Sequence, residues 1–440
     1  MTIKISQFFE NEYVDFSAYD NVRKIGSYLD GLKNASRKII FTLTEQNIEG
    51  FVKVANLGPK VQDFSQYLHG SLEGTIVNMT ADYVGSGNNV SLLVGDGNFG
   101  SRFIPQAAAT RYIFAKTSPL TKKIFLREDN QLLEKQFFEG DRIEPKYFMP
   151  ALPMILVNGS EGVSIGFAQK ILPRDPKQIQ LWVQQKAKGE KITADLTPHW
   201  VGQDFVVESG EEEAQWVIKG KVEKVSANRV RVTSLPVGMT LKNYHDVLDK
   251  LVDNKVIRDY EDRSDEDVFD FEIVADKTFA ALPEEKLLDK LKLVKRVSEN
   301  FTCVDGDNKI IQFSNANELL ERWYEARIEM NGIRKEAILS RLASAKEEAN
   351  AKAIFIQGVV DGDIELRNRK ESEIISDGEH YNDNLKGRME KLISLPMRSL
   401  TSEEIRKQKN KIKEIETEIK TFKKLTLENI SIEDAEAIKF

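Results

Sequence analysis

Residues Gly95–Ser118 read GDGNFGSRFIPQAAATRYIFAKTS, and how this stretch is parsed separates two folds. Gly95, Gly97 and Gly100 follow the strand-like run Asn89–Val94 and spell G-x-G-x-x-G. That spacing marks a dinucleotide-binding βαβ unit when a helix opens after the glycines and an acid follows about 20 residues on. Neither condition is met: Pro105 interrupts the start of any helix, and the first carboxylate after Asp96 is Glu128. The sequence also lacks a G-x-x-x-x-G-K-[ST] phosphate loop, so it offers no visible ATP site. What the stretch does carry is the pair Arg111-Tyr112 inside an apolar run. A phenolate is a competent nucleophile toward a phosphodiester, and a guanidinium can hold phosphate oxygens bidentately, so this pair is a candidate DNA-cleaving dyad.

Local charge agrees with that chemistry better than global charge does. Arg102, Arg111, Lys116, Lys122, Lys123 and Arg127 fall in one interval that contains no Asp or Glu, within a chain of net charge -7. One basic strip can hold nucleic acid while acid elsewhere keeps the chain in solution; a plain solvated basic face would look the same. With 440 residues, 41% of them hydrophobic, the chain has room for roughly two to four domains. Its one cysteine, Cys303, has no partner for an intramolecular disulfide, and no amino-terminal apolar stretch resembles a signal peptide or membrane span, which predicts a cytoplasmic protein. His69, His199, His245 and His380 are scattered and none stands with cysteine or a second histidine at ligand spacing, so zinc is not expected.

The pattern changes twice along the chain. Up to residue 150, short helical patterns (Tyr28–Leu43, Leu72–Tyr83) alternate with glycine-rich turns and predict a compact mixed domain. From 151 to 313, strand-like runs at Asp204–Glu208, Gln215–Val225 and Arg229–Leu235 mix with a helical stretch at Tyr244–Asn254, which predicts an α+β domain. Farther on, Thr401-Ser402-Glu403-Glu404 opens a helix by a capping box, after which Ile405, Gln408, Ile412, Ile415, Ile419 and Phe422 occupy successive a and d positions. A charged helix over 317–356 is its antiparallel partner, and the segment 357–396 between them suits a small dimerising knob; a plain intramolecular hairpin with no partner fits the same pattern.

The string GDGNFGSR followed by AAATRYIF resembles the breakage-reunion core of type IIA DNA topoisomerases. Asp30–Lys38 (DGLKNASRK), Tyr67–Gly70 (YLHG), Val157–Ala168 (VNGSEGVSIGFA), Ser234–Met239 (SLPVGM), WYEARIEM with AKAIFIQGVVDGDI, and LISLPMRSLTSEEI are similar to the family's blocks at those places, covering about residues 20–425. VGSGNN and LISLPMRSLT look more like the eukaryotic enzymes than like gyrase. The resemblance is greatest to the separate DNA-cleavage subunit of large tailed bacteriophages, in whose case the setting is the host cytoplasm. It implies an α+β chain with an amino-terminal arm (1–19), a winged-helix cleavage domain (20–150), a tower domain (151–313), a first coiled-coil helix (314–356), an exit-gate (C-gate) dimerisation domain (357–396), a second coiled-coil helix (397–425) and a tail (426–440).

The same resemblance implies the site. Tyr112 attacks the scissile phosphate to give a 5'-phosphotyrosine, Arg111 stabilises the anionic transition state, and His69 donates a hydrogen bond to that phosphate. Arg23, Lys33 and Arg37 grip the DNA backbone, with Lys38 and Arg102 as further candidates, and Val163 stands in place of the family's isoleucine wedge, one methylene shorter. Mg2+ is expected on the Toprim domain of a partner subunit and ATP on a partner subunit, with neither held by this chain. The expected partners are double-stranded DNA, a second copy of the chain through the C-gate, and the ATPase/Toprim subunits, with no membrane. Two rival readings stay open: a tyrosine recombinase, which links to the 3' phosphate, and a non-enzymatic winged-helix DNA-binding protein dimerised by a coiled coil.

Overall fold

The computed structural model describes residues 5–266 and 268–440, so the first four residues of the expected arm (1–19), and residue 267 within 151–313, lie outside the described residues. Contacts divide the chain into two units, Met1–Ile328 with Ser431–Phe440, and Glu329–Ile430. Helices and strands are mixed throughout the first unit, and the second is helical. No helix among the described residues is long and apolar enough to cross a membrane.

The first unit opens with helices Ile5–Glu10 and Glu12–Lys24, followed by three helices, Asn34–Glu45, Val54–Phe64 and Glu73–Thr80. Beside these lies a small antiparallel sheet in the order Val52–Lys53, Phe114–Thr117, Leu93–Asp96. Helix Asn34–Glu45 places Ile39, Ile40, Phe41 and Leu43 in the core. The helical pattern read from Tyr28 begins only at Asn34, because Gly31 has a positive φ and the Asp30 carboxylate accepts from Leu32 N (2.9 Å) and from Phe148 N (3.0 Å), folding the chain into a turn first.

The middle of the chain carries a four-stranded antiparallel sheet, Lys221–Ser226, Arg229–Ser234, Phe271–Val274 and Asp259–Asp262 in that order. Helix Leu241–Asp253 covers it. Thr240 caps the helix by accepting from Asn243 N, and Tyr244 and Leu248, four residues apart, are both fully buried with Val230, Val232, Phe271 and Ile273. Each of the aliphatic and phenylalanine side chains contributes about 1.5 to 3 kcal/mol by leaving water. A second sheet runs Val294–Ser298, Gln215–Lys219, Val206–Ser209. The sequence run Gln215–Val225, read as one strand, is therefore two strands in two sheets. Gly220 makes the crossing possible, since a Cβ there would lie 2.3 Å from Ser234 O.

The 46-residue helix Ala316–Asp361 contributes its first turns to the first unit. There Trp323 Nε1 donates to Leu29 O (3.1 Å), and the buried Arg327 guanidinium donates to Asp129 Oδ2 (2.6 Å), Met149 O (2.9 Å) and Asp434 Oδ2 (2.6 Å).

In the second unit, the rest of that helix runs antiparallel to Ser402–Lys424. Lys335 Nζ reaches Leu425 O (2.5 Å), Lys346 pairs with Glu416 (2.8 Å) and Lys352 with Glu404 (2.7 Å), so one number rises as the other falls. Thr401 caps the return helix by accepting from Glu404 N. Ile405, Gln408 and Ile415 of the heptad seam are buried, and Ile412, Ile419 and Phe422 half-buried. Between the long helices, Glu371–Tyr381 and Met389–Ile393 close over Phe355, Ile356, Ile374 and Leu392.

Candidate active site

Tyr112 sits on a turn, outside any helix, just before strand Phe114–Thr117. Its backbone N–H closes the turn on Ala109 O (2.8 Å), and the turn is braced on two sides, by Ala108 N to Asn98 O (2.9 Å) and by Val54 N to Ile113 O (3.0 Å). The glycines of the G-x-G-x-x-G string serve this brace. Gly97 has φ +104, and a Cβ on it would lie 2.9 Å from Ile113 Cγ2, so the strand Leu93–Asp96 turns back toward the tyrosine and no helix follows. The phenol is 65% exposed, so its hydroxyl is not enclosed in the core. Arg111 is also exposed, and its guanidinium carbon lies 4.8 Å from the Tyr112 ring centroid, which places a fixed positive charge beside the nucleophile candidate.

Thr110, two residues before Tyr112, donates to Glu73 Oε2 (2.5 Å) at the start of helix Glu73–Thr80. That helix supplies Thr75, Asn78 and Met79 to the wall of a groove that also contains Arg23, Lys33, Lys170 and Lys295, with Glu161 as the carboxylate among its described lining residues. Two of these ammonium groups are held by carbonyls: Lys33 Nζ donates to Glu161 O (2.6 Å) and Lys295 Nζ to Val237 O (2.9 Å). Burial pushes the Lys33 ammonium below its usual pKa, with Glu161 opposing. Burial, reinforced by the neighbouring Lys170, does the same to Lys295. The groove therefore holds more positive charge than its own anions balance, a state that a phosphate backbone would relieve.

His69 lies on an exposed loop, its ring edge-on to Tyr67 (centroids 5.8 Å apart) and its Nε2 in hydrogen-bond contact with the Tyr19 hydroxyl. Burial raises the Tyr67 hydroxyl above its usual pKa, and the nearby Arg23 guanidinium opposes the rise, so Arg23 links this aromatic cluster to the basic groove. Val163 ends the hairpin strand Ser160–Val163, opposite Ala168, and is 73% exposed.

Three cations expected to contact DNA are engaged by partners within the protein, although Arg37 and Lys38 line the concavity that also holds Tyr19, Tyr67 and His69. Arg37 is buried and bidentate to Asp30, from Nε to Oδ2 (2.7 Å) and from Nη2 to Oδ1 (3.0 Å). Lys38 is buried between Glu144 (2.6 Å) and Ser65 O (2.5 Å). Arg102 donates to Asp204 (2.8 Å) and Leu235 O (2.9 Å) while stacking 4.7 Å over Phe269. Their charges are satisfied within the protein. Conversely, Lys170, Lys295, Tyr19 and Tyr67 join the groove and the histidine cluster without having been singled out from sequence. Tyr67 had a signal, standing two residues before His69 in YLHG; the two lysines had none, being isolated cations on distant strands.

Among the described residues no group of three or more His, Cys, Asp or Glu side chains is arranged to hold a metal ion. The described residues do not fit a metal.

Residues 23–436 match the family of the DNA gyrase/topoisomerase IV A subunit. DNA topoisomerase 2 of Arabidopsis thaliana is 33% identical to the chain over 387 residues, which is 85% of this chain and 26% of that protein. The mitochondrial DNA topoisomerase 2 of Dictyostelium discoideum is 30% identical over 383 residues, 85% of this chain and 30% of its own length. The chain thus spans between about a quarter and a third of these curated relatives. The fold is similar to the crystal structure of the Plasmodium falciparum topoisomerase II DNA-binding, cleavage and re-ligation domain, with a TM-score of 0.86 at 28% identity, over 98% of this chain and 63% of that one.

Proposed function

Because the chain belongs to the family of the DNA gyrase/topoisomerase IV A subunit, we propose that it cuts and reseals both strands of one DNA duplex so that a second can pass, relaxing or unlinking DNA. The observation that carries this reading is the exposed Tyr112 on a braced turn with the Arg111 guanidinium 4.8 Å from its ring. The three helices and small sheet of the first unit are read as a winged-helix cleavage domain (20–150), the two middle sheets as the tower (151–313). The antiparallel helices are read as a coiled coil (314–356 and 397–425) carrying the C-gate (357–396).

In this mechanism the Tyr112 oxygen, having lost its proton, forms a bond to the scissile phosphorus, and the bond from phosphorus to the 3' oxygen breaks. That oxygen leaves as a hydroxyl after taking up a proton, and the 5' end stays on the tyrosine. Exchanging one phosphate diester for another is nearly isoenergetic, so the 3' hydroxyl can reverse the step without a high-energy cofactor. Arg111 meets the charge that builds on the phosphate oxygens, and His69 donates to the same phosphate. Arg23 and Lys33, with Lys170 and Lys295, hold the backbone, while the exposed Val163 wedges into the base stack and bends the duplex. Arg37, Lys38 and Arg102 act through the fold and not by touching DNA.

Two strands require two copies of the chain, hence a twofold homodimer. Exposed Met397, Val360 and Tyr381 in the second unit are apolar side chains suited to that contact. Mg2+, which supplies Lewis-acid chemistry at the phosphate, and ATP are assigned to ATPase/Toprim parts supplied by partner subunits.

The test assembles the chain with an ATPase/Toprim partner, Mg2+ and supercoiled plasmid, then denatures with detergent. Wild type should give linear DNA with protein on its 5' ends. Tyr112→Phe should bind DNA within about twofold of wild type and give no covalent product. A covalent product from Tyr112→Phe, or a 3' linkage, would overturn the reading, the latter in favour of a tyrosine recombinase.

A further inference from the structure

The basic strip of Arg102 to Arg127 does not all serve the turn that carries Tyr112. Two of its last three members, Lys122 and Arg127, line a separate concavity together with Lys135 and Arg142, and none of these four lines the groove of Arg23 and Lys33. Two carboxylates, Glu45 and Glu49, share this concavity. Glu45 pairs with Arg142 (3.2 Å) and Glu49 with Lys122, which leaves Arg127 and Lys135 with no ion-pair or hydrogen-bond partner among the described residues. Arg142 is held in place over the Phe41 ring, 5.5 Å from its centroid. Its Nε, and Oδ1 of the lining residue Asn130, are enclosed polar atoms with no partner among the described residues.

We propose that this concavity is a second phosphate-binding site, which takes the phosphodiester backbone of a duplex other than the one in the cleavage groove. Phosphate is the chemistry that suits it. A polyanion satisfies the exposed Arg127 and Lys135 directly. A monovalent carboxylate would leave cations unmatched. Continuous duplex suits the spread of four basic side chains contributed by helices Pro119–Ile124 and Arg127–Leu132 and by the hairpin Gln136–Phe138/Asp141–Ile143 and its approach. The inference rests on the reading of the chain as one that passes a second duplex past a first.

The holoenzyme is tested with a short duplex first linked covalently through Tyr112, which fixes occupancy of the cleavage groove, and a fluorescent second duplex is then titrated in. Arg127→Gln combined with Lys135→Gln changes two exposed side chains, so the thermal midpoint and the yield of covalent complex should stay at wild-type levels. Losing two phosphate contacts should lower the salt slope for the second duplex by about two. Wild-type affinity would then fall roughly tenfold more than the variant's between 50 and 200 mM salt. Pyrophosphate is titrated alone as the free-anion arm. Tight pyrophosphate binding lost in the variant, with second-duplex binding unchanged, would assign the site to a free anion and overturn the proposal, as would an unchanged salt slope. Absence of the covalent complex in wild type would instead refute the cleavage function itself.

Discussion

Replacing Arg37 by alanine separates a DNA contact from a structural ion pair. The guanidinium makes two bonds to Asp30 and a third to Leu32 O (3.0 Å), all buried. Removing it strands a carboxylate with no exposure to water, although Asp30 keeps the N–H groups of Leu32 and Phe148. Breaking one side of a buried pair costs about 3 to 5 kcal/mol, and the two retained N–H bonds put this case near the lower figure, about 3 kcal/mol. At a few degrees per kcal/mol, the first thermal transition should fall by roughly 6 to 12 °C. The salt slope for binding a short duplex should not change. Lys33→Gln should do the opposite, lowering the slope by about one while moving the midpoint little. Calorimetry and fluorescence anisotropy on the same preparations read both quantities. An Arg37→Ala protein with an unchanged midpoint and a slope reduced by one would refute the assignment.

Lys33 and Lys295 are held below the ordinary lysine pKa when the groove is empty, and phosphates should raise both. Binding then takes up protons, so affinity should fall as pH rises through the free-state values toward the ordinary one near 10.5; uptake is read by titration calorimetry in buffers of different ionisation enthalpy. Burial pushes the Cys303 thiol up to about 12, so native protein at neutral pH should resist iodoacetamide until it is unfolded, as counted by mass spectrometry. Val163→Ala should leave the thermal midpoint nearly unchanged, because the side chain is exposed, yet reduce the bend of a doubly labelled duplex seen by energy transfer; an unaltered bend would remove the wedge role.

Much of the secondary structure was legible because helix signals are local. The Thr401 cap and the seam from Ile405 to Phe422 lie within one helix, and each can be recognised from spacings of three or four residues. The strand run from Gln215 was legible as extended chain. Its division at Gly220 was not, because the atom that forbids a side chain there, Ser234 O, belongs to another strand. Arg111-Tyr112 could be proposed from residue type alone, since the chemistry of a phenol beside a guanidinium does not depend on the fold.

The sequence by itself determined the family blocks, the helical periods and the identity of the groups able to attack or hold a phosphate. Tertiary structure alone decided which cations remain available. Arg37, Lys38 and Arg102 look like Arg23 and Lys33 in one dimension, but their carboxylate partners stand 7, 106 and 102 residues away, and folding brings each pair into contact, the first two away from solvent and the third part-buried. An amphipathic pattern is written in neighbouring residues, whereas the satisfaction of a charge depends on whatever the folded chain places within about 4 Å of it.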